Sequence, residues 1–209
     1  MKVFLIRHGQ TDQNKRGILQ GSVDTNLNET GRLQAKLLAQ RLLPLDIDQI
    51  FCSSMKRCRE TIAPYLELKP EVPIVYTDLI RERVYGDLEG MNVVEAKKLL
   101  NANHPDHYGE GLSHLTSRLL KFWDEYVVPL QGKKKCVIVL CHGGVINVLR
   151  THFMEEKGFT FDKSKLESKI ITFNTSITEI EVTEHGTGHI HTFGDASHLE
   201  SEETGKLIA

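Results

Sequence analysis

KVFLIRHG, residues 2–9, decides the fold. Val3, Phe4, Leu5 and Ile6 are apolar without alternation, and two of them are β-branched. A short unbroken apolar run of this kind predicts a strand buried on both faces, as inside a parallel sheet. The strand then runs at once into Arg7, His8 and Gly9. A second run, IVLCHGG at residues 138–144, repeats the arrangement with His142 and Gly143. If both strands are central and parallel, His8 and His142 leave the sheet at the same edge. Ligands of such sheets bind beyond the carboxyl ends of the strands. A glycine after each histidine lets the backbone approach a ligand closely and keeps its N–H available. One strand-end histidine is ordinarily a satisfied structural residue, whereas two in matching settings point to a site.

Working outward, strands alternate with helices along most of the chain. Residues 9–25 are polar and carry Gly9, Gly17 and Gly21, which reads as a long functional loop. NETGRLQAKLLAQRLL, residues 28–43, has Leu33, Leu37, Leu38 and Leu42 at helical spacing, Asn28 or Thr30 as cap and Pro44 as stop. IDQIFCSS (47–54) and VPIVY (72–76) read as strands, and KRCRETIAPYLEL (56–68) as a helix weakened by Pro64. NVVEAKKLL (92–100) reads as a short helix and 101–111 as a loop. LSHLTSRLLKFWDEYVVPL (112–130) places Leu112, Leu115, Leu119, Phe122, Trp123 and Tyr126 on one stripe of an amphipathic helix. A helix with Val145, Val148, Leu149 and Phe153 follows the second His-Gly pair. SITEIEVT and GHIHTF alternate around EHGTG and read as a terminal hairpin, and the acidic tail from Ser197 reads as loosely ordered. The pattern predicts a three-layer α/β/α sandwich with a mostly parallel sheet and some antiparallel pairing. The 209 residues suit one domain, 1–209, with a small lid at about 91–130.

The bulk numbers exclude several classes. Apolar residues make up 40% and charged residues 26%, as in a packed globule, and the net charge of −2 gives no field to draw in nucleic acid or an anionic membrane. There is no apolar run of about 18 residues, and MKVFLIRHG is too short and lacks a cleavage site for a signal peptide. Cys52, Cys58, Cys136 and Cys141 form no C-x-x-C pair and read mostly as core thiols. That places the chain in a reducing intracellular setting, the cytoplasm with the nucleus as a further compartment. The apolar helix from Leu112 offers a surface for a homodimer.

Every predicted strand ends beside a titratable or cationic residue. Arg57 lies about one turn into the helix after the second strand, and Glu82 and Glu89 follow the third in RERVYGDLEG. Arg7, Arg57, His8 and His142 together would line a cationic pocket suited to a dianion, because arginine forks match phosphate oxygens. Taken alone, Arg57 also reads as a surface ion-pair partner, and Arg59 is assigned to the surface. His185, His189 and His191 lie in the hairpin, and without a convincing carboxylate or cysteine they read as solvent-facing strand residues rather than metal ligands.

RHGQTDQN, SSMKRCRET, RERVYGDLEG and CHGG, in this order, resemble the histidine phosphatase superfamily with its phosphoglycerate mutase-like fold. The matches cover residues 3 to about 145. The resemblance implies that His8 is the nucleophile that becomes phosphohistidine. The attacking nitrogen must be unprotonated, so the other must hold the proton, with the Gly9 carbonyl as the expected acceptor. It implies that Arg7, Arg57 and His142 bind the transferring phosphoryl group, with Asn14 as a further contact. Gln20, Gly21 and the Gly143 N–H complete the shell in this reading, or are ordinary loop structure. Glu82 is the implied proton donor with Glu89 as rival, and Arg83 and Tyr85 are implied substrate contacts. No metal and no cofactor are implied.

The family contains mutases and phosphatases. Its mutases carry a long insert with paired arginines for the substrate carboxylate. Here 91–111 is short, and Lys97 and Lys98 are the only adjacent cations, read as partly solvated. A small lid open to water favours a phosphatase acting on a small phosphomonoester, metal-independent and of broad specificity, with His104, His107 and Tyr108 near the mouth. The alternatives are a phosphoglycerate mutase-type phosphotransferase and a non-catalytic phospho-ligand binder. A doubly wound nucleotide-binding domain would need a glycine-rich first turn that RHGQTDQNKRG lacks.

Overall fold

The structure, a computed structural model, describes residues 1–104, 106–162, 172–183 and 186–200. His185, part of the EHGTG turn and the tail 201–209 lie outside the described residues.

Seven strands form one sheet: β1 (Lys2–Arg7), β2 (Gln49–Ser53), β3 (Ile74–Thr77), β4 (Cys136–Cys141), β5 (Thr160–Phe161), β6 (Ile177–Val182) and β7 (Gly188–Asp195), in the order β3-β2-β4-β1-β6-β7-β5. The pairings β1–β4, β2–β4, β2–β3 and β5–β7 are parallel, and β1–β6 and β6–β7 are antiparallel. The α-helices among the described residues are α1 (Asp12–Lys15), α2 (Glu29–Leu42), α3 (Lys56–Leu68), α4 (Val93–Ala102), α5 (Leu112–Phe122) and α6 (Gly143–Glu155).

The unbroken apolar runs follow from burial on both faces. Val3 and Leu5 of β1 and Val137 and Val139 of β4 pack in one core with Leu119, Phe122 and Leu149 of α5 and α6. Phe4, Ile6, Ile138 and Leu140 pack in the other with Leu38, Leu42 and Ile62 of α2 and α3. The sheet is thus the middle layer of an α/β/α sandwich. In the β1–β4 register Arg7 stands opposite Cys141, so His8 and His142 emerge side by side.

Two helices depart from the sequence pattern. Asn28 caps α2 as expected, and Leu38 and Leu42 are buried, but Leu33 is 40% exposed. The buried face is completed by Gly31, Gln34, Ala35 and Ala39. Small residues are needed here: a Cβ on Gly31 would stand 2.0 Å from the Gln10 carbonyl oxygen, so α2 presses on the loop after β1. The stripe from Leu112 to Tyr126 is not one helix. After Phe122 the backbone widens into a π turn over Trp123–Val127 and then a 3-10 turn over Val128–Leu130. The extra residue turns Val127 inward and Tyr126 outward, and Tyr126 stacks on Phe122 instead. α3 runs through Pro64, held by its buried face of Cys58, Thr61, Ile62 and Tyr65. All four cysteines are buried and free. Among the described residues no helix is long and apolar enough to cross a membrane.

Candidate active site

The loop after β1 is pinned before it can carry a reactive group. The His8 N–H donates to Cys141 O (3.0 Å), and the Gly9 N–H to Thr61 Oγ1 (2.9 Å). The Gln10 N–H donates to Gln34 Oε1 (2.8 Å). From below, Asn174 Nδ2 donates to His8 O (2.9 Å), and the Thr175 N–H to Arg7 O (3.0 Å). Thr175 takes a left-handed φ of 59°, and its hydroxyl meets His198 Nε2 at 3.1 Å.

His8 Nδ1 lies 2.7 Å from the Gly9 carbonyl oxygen. A carbonyl only accepts, so Nδ1 holds the proton and Nε2 keeps its lone pair. His8 lines a cleft of about 420 Å³ together with Arg7, Arg57 and Glu82. Burial, then the charges of Arg57 and Arg7, hold its pKa well below the usual histidine value. The ring therefore stays neutral at neutral pH, with the Nε2 lone pair free.

Arg7 donates through Nη1 to Thr172 O (2.5 Å), while its Nε is buried with no partner. Burial pushes its pKa down to about 10, and it remains a cation at neutral pH. A buried guanidinium N–H without an acceptor fits a site that awaits an anion. Arg57, 1% exposed, donates to Val23 O (2.8 Å), Gly21 O (3.0 Å) and His142 Nδ1 (3.3 Å). It lines the cleft and also holds the loop that forms its rim.

His142 is fully buried and stands behind Arg57 rather than on the cleft wall, its ring centroid 5.2 Å from that of His8. Its Nδ1 accepts from Arg57, so Nε2 carries the hydrogen toward Ser53 Oγ at 2.8 Å. Burial and Arg57 keep this ring neutral too.

Glu82 is placed by the start of α6. The Gly144 N–H donates to its Oε2 (3.1 Å) and the Arg83 N–H to its Oε1 (3.0 Å). A Cβ on Gly144 would lie 2.4 Å from Glu82 Oε1, so only glycine admits the carboxylate here. Arg118 braces the strip from outside, donating to Leu79 O (2.8 Å) and Glu110 Oε1 (2.6 Å). Glu89 is engaged elsewhere. Its carboxylate accepts from the Ser22 and Tyr85 N–H groups (2.8 and 2.9 Å) and ties the rim loop to the 85–89 turn. A Cβ on Gly21, at φ +53°, would lie 2.2 Å from Glu89 Oε1.

Asn14, Gln20, Gly21, Tyr85 and Gly143 also line the cleft. Asn14 Oδ1 accepts from the Thr11 N–H (3.2 Å) and Asn174 Nδ2 (3.3 Å), leaving its Nδ2 to donate. Gln20 Oε1 accepts from Thr25 (2.7 Å). Burial pushes the Tyr85 phenol up, so it remains a neutral donor. Arg83 is not brought to the cleft: its Nε donates to Glu110 O (2.8 Å) and its guanidinium sits over the Tyr85 ring at 5.1 Å. His104, His107 and Tyr108 stand away from it, with His107 packed edge-on against Tyr108. Arg59 is at the surface over Tyr76, as read. His189 meets Thr160 (2.7 Å) and His191 meets Glu181 (3.2 Å), and among the described residues no group of three metal-type ligands forms.

Ser53, Gly144, Asn147, Thr172 and Asn174 escaped the sequence reading. Gly144 was legible in CHGG, and Asn147 lies one helical turn beyond Gly143. Thr172 and Asn174 reach the site from β6's approach and leave no local signal. A larger groove of about 610 Å³ between α2 and α3, floored by Ala35, Ala39 and Pro64, lies away from all of these groups.

The same chain matches, over residues 3–196, the model of the histidine phosphatase superfamily (branch 1). It is 34% identical to a broad-specificity phosphatase of Saccharomyces cerevisiae over 97% of this chain and 89% of that protein. It is 32% identical to a phosphoglycerate mutase of Schizosaccharomyces pombe over 77% of this chain and 82% of the other. The solved structure of Bacillus stearothermophilus YhfR superposes with a TM-score of 0.77 and 28% identity, covering 95% of this chain and 99% of that one. Paired strand-end histidines, two inward arginines and a match across nearly the whole sheet lead to one statement: the chain belongs to the histidine phosphatase superfamily, with a phosphoglycerate mutase-like α/β fold.

Proposed function

We propose that this chain is a phosphomonoesterase that works through a phosphohistidine on His8. The observation that carries the reading is the Nδ1 contact to Gly9 O at 2.7 Å, which leaves Nε2 unprotonated in a cleft lined by two guanidinium groups. The Nε2 lone pair forms the N–P bond in line as the ester P–O bond breaks. Glu82, entering protonated, gives its proton to the leaving oxygen. The resulting carboxylate then takes a proton from water as that water attacks phosphorus and the N–P bond breaks. Arg7, Arg57 and the Asn14 amide carry the charge spread over the equatorial oxygens, worth on the order of 10²–10³ in rate per donor. Gln20, Gly21 and the start of α6 at Gly143 close the shell. Behind Arg57, His142 accepts from its Nε through Nδ1 while Nε2 donates to Ser53, so His142 acts as a positioning residue that holds this guanidinium in place for the phosphate.

The cleft volume suits a small substrate. The phosphatases among the relatives favour hydrolysis, and so does the single lysine, rather than an arginine pair, on the wall made by α4. Incubation with p-nitrophenyl phosphate in EDTA tests this. Sustained release of nitrophenol is expected, and no turnover, or turnover abolished by EDTA, overturns it. Rapid conversion of 3-phosphoglycerate to the 2-isomer with a bisphosphoglycerate primer would instead establish the mutase.

A further inference from the structure

We propose that the outer half of the cleft selects phosphate esters whose leaving group has an apolar, ring-sized body and a second anionic group, and that Lys97 reads that anion. This rests on the phosphomonoesterase reading of the inner half. The inner half is polar: Arg7, His8, Arg57 and Glu82. The cleft's polar lining also includes Asn14, Gln20, Tyr85, Asn147 and Thr172, and one stretch of it is apolar. Ile18, Leu19 and Val93 line it as one apolar wall. Backbone bonds make this wall a fixed feature: the Leu19 N–H donates to Met91 O (2.9 Å), Gly90 to Leu19 O (2.9 Å) and Val93 to Gly17 O (2.8 Å). Asn92 caps α4 directly beneath it, with Oδ1 accepting from the Val94 N–H at 2.9 Å.

Lys97 lies four residues after Val93, one turn along α4, and both face the cleft. Its neighbour Lys98 does not line it. Lys97 makes no ion pair among the described residues. Charge counting shows what it can hold. Arg7 and Arg57 balance a phosphate dianion. Among the described residues Glu82 is the only acid on the cleft wall, and in the proposed mechanism it carries the proton destined for the leaving oxygen. One positive charge, that of the solvent-exposed Lys97, is then unmatched beside the apolar wall. Asn147 adds a donor on the opposite wall, because its Oδ1 is met by the Thr172 hydroxyl at 3.5 Å.

The test uses non-hydrolysable phosphonates and calorimetry, so that it does not depend on turnover. Three probes separate the parts: phenylphosphonate has the ring, 3-phosphonopropionate has the acid, and 4-carboxyphenylphosphonate has both. The expected order has 4-carboxyphenylphosphonate tightest, about 3–5-fold over phenylphosphonate, as for a solvent-accessible ion pair. In Lys97→Gln that advantage falls below about twofold, while Lys98→Gln keeps it. The proposal is overturned if the carboxylate gives no advantage, if the ring gives none over 3-phosphonopropionate, or if the two lysine variants act alike. Hydrolysis of phenyl phosphate is followed in parallel. A Lys97-dependent gap without hydrolysis keeps the subsite and removes the phosphatase reading.

Discussion

Gly144→Ala separates the catalytic account from a merely structural one, because it moves stability and activity in opposite directions. Gly144 is the second residue of α6. Alanine in a helix is favoured over glycine by up to about 1 kcal/mol, so the folded state gains or stays level. The new methyl would sit 2.4 Å from Glu82 Oε1 and 3.1 Å from its carboxyl carbon. What blocks it is the far end of a flexible side chain, so the carboxylate swings aside by roughly 1 Å and the helix is spared. A displacement of that size costs about 10²-fold when it removes a group from productive geometry. The loss should depend on the leaving group, because a proton donor matters most when the departing oxygen is basic. Steady-state kinetics on an alkyl phosphate should show kcat down by about 10²-fold with KM nearly unchanged. On p-nitrophenyl phosphate, whose leaving group departs without help, kcat/KM, which reports only the steps through phosphorylation, should fall by no more than about tenfold. Thermal denaturation should show a melting temperature equal to or above the parent's. Full activity on the alkyl phosphate would refute the placement of Glu82 as proton donor. A large drop in melting temperature would refute the argument from side-chain displacement.

Ser53→Ala leaves the buried His142 Nε2 without its hydroxyl partner, so urea denaturation should report a loss of about 1–3 kcal/mol, and kcat should fall with it. An unchanged kcat would show that His142 needs no tautomer partner. Arg83→Met should lower the melting temperature while leaving KM for small esters within about twofold, because Arg83 packs on Tyr85 and Glu110 outside the cleft; a tenfold rise in KM would contradict that placement. Folding stability should fall as pH drops below 6.5. His8 and His142 are held well below 6.5 when folded, and His198 is pushed down to about 4, so the unfolded chain takes up protons that the folded chain refuses. The contribution is complete above 6.5 and is lost progressively below it, by up to about 1.4 kcal/mol per pH unit for each ring. Melting curves from pH 7.5 to about 5 check this, and a flat profile would contradict it.

The sheet was legible because its central strands are buried on both faces, so Val3 to Ile6 and Val137 to Cys141 needed no partner to declare themselves. The meeting of His8 with His142 followed from the same runs being parallel neighbours. Interfaces set by small residues were harder. The leucines of α2 outshone Gly31, Ala35 and Ala39, yet closeness to the Gln10 backbone, not side-chain bulk, orients that helix. The turn that swings Val127 inward past Trp123 leaves the apolar spacing looking helical throughout. Glu82 and Glu89 could not be ranked by physics from one sequence, since the deciding partners, the Gly144 N–H and Ser22, lie far away along the chain. His142 read as a cleft residue, whereas Arg57 stands between it and the opening. Asn174 and Thr175, which clamp the backbone of Arg7 and His8, come from far along the chain, Asn174 being 166 residues from His8.

In the proposed mechanism His8 itself carries the phosphoryl group. Enzyme mixed rapidly with a radiolabelled phosphomonoester and quenched in alkali, where phosphohistidine survives, tests it most directly. Near-stoichiometric label is expected in the peptide that contains His8, released on return to neutral pH with substrate-independent kinetics, and no label in His8→Ala. Turnover with no covalent label, label on any other residue, or full activity in His8→Ala would contradict it.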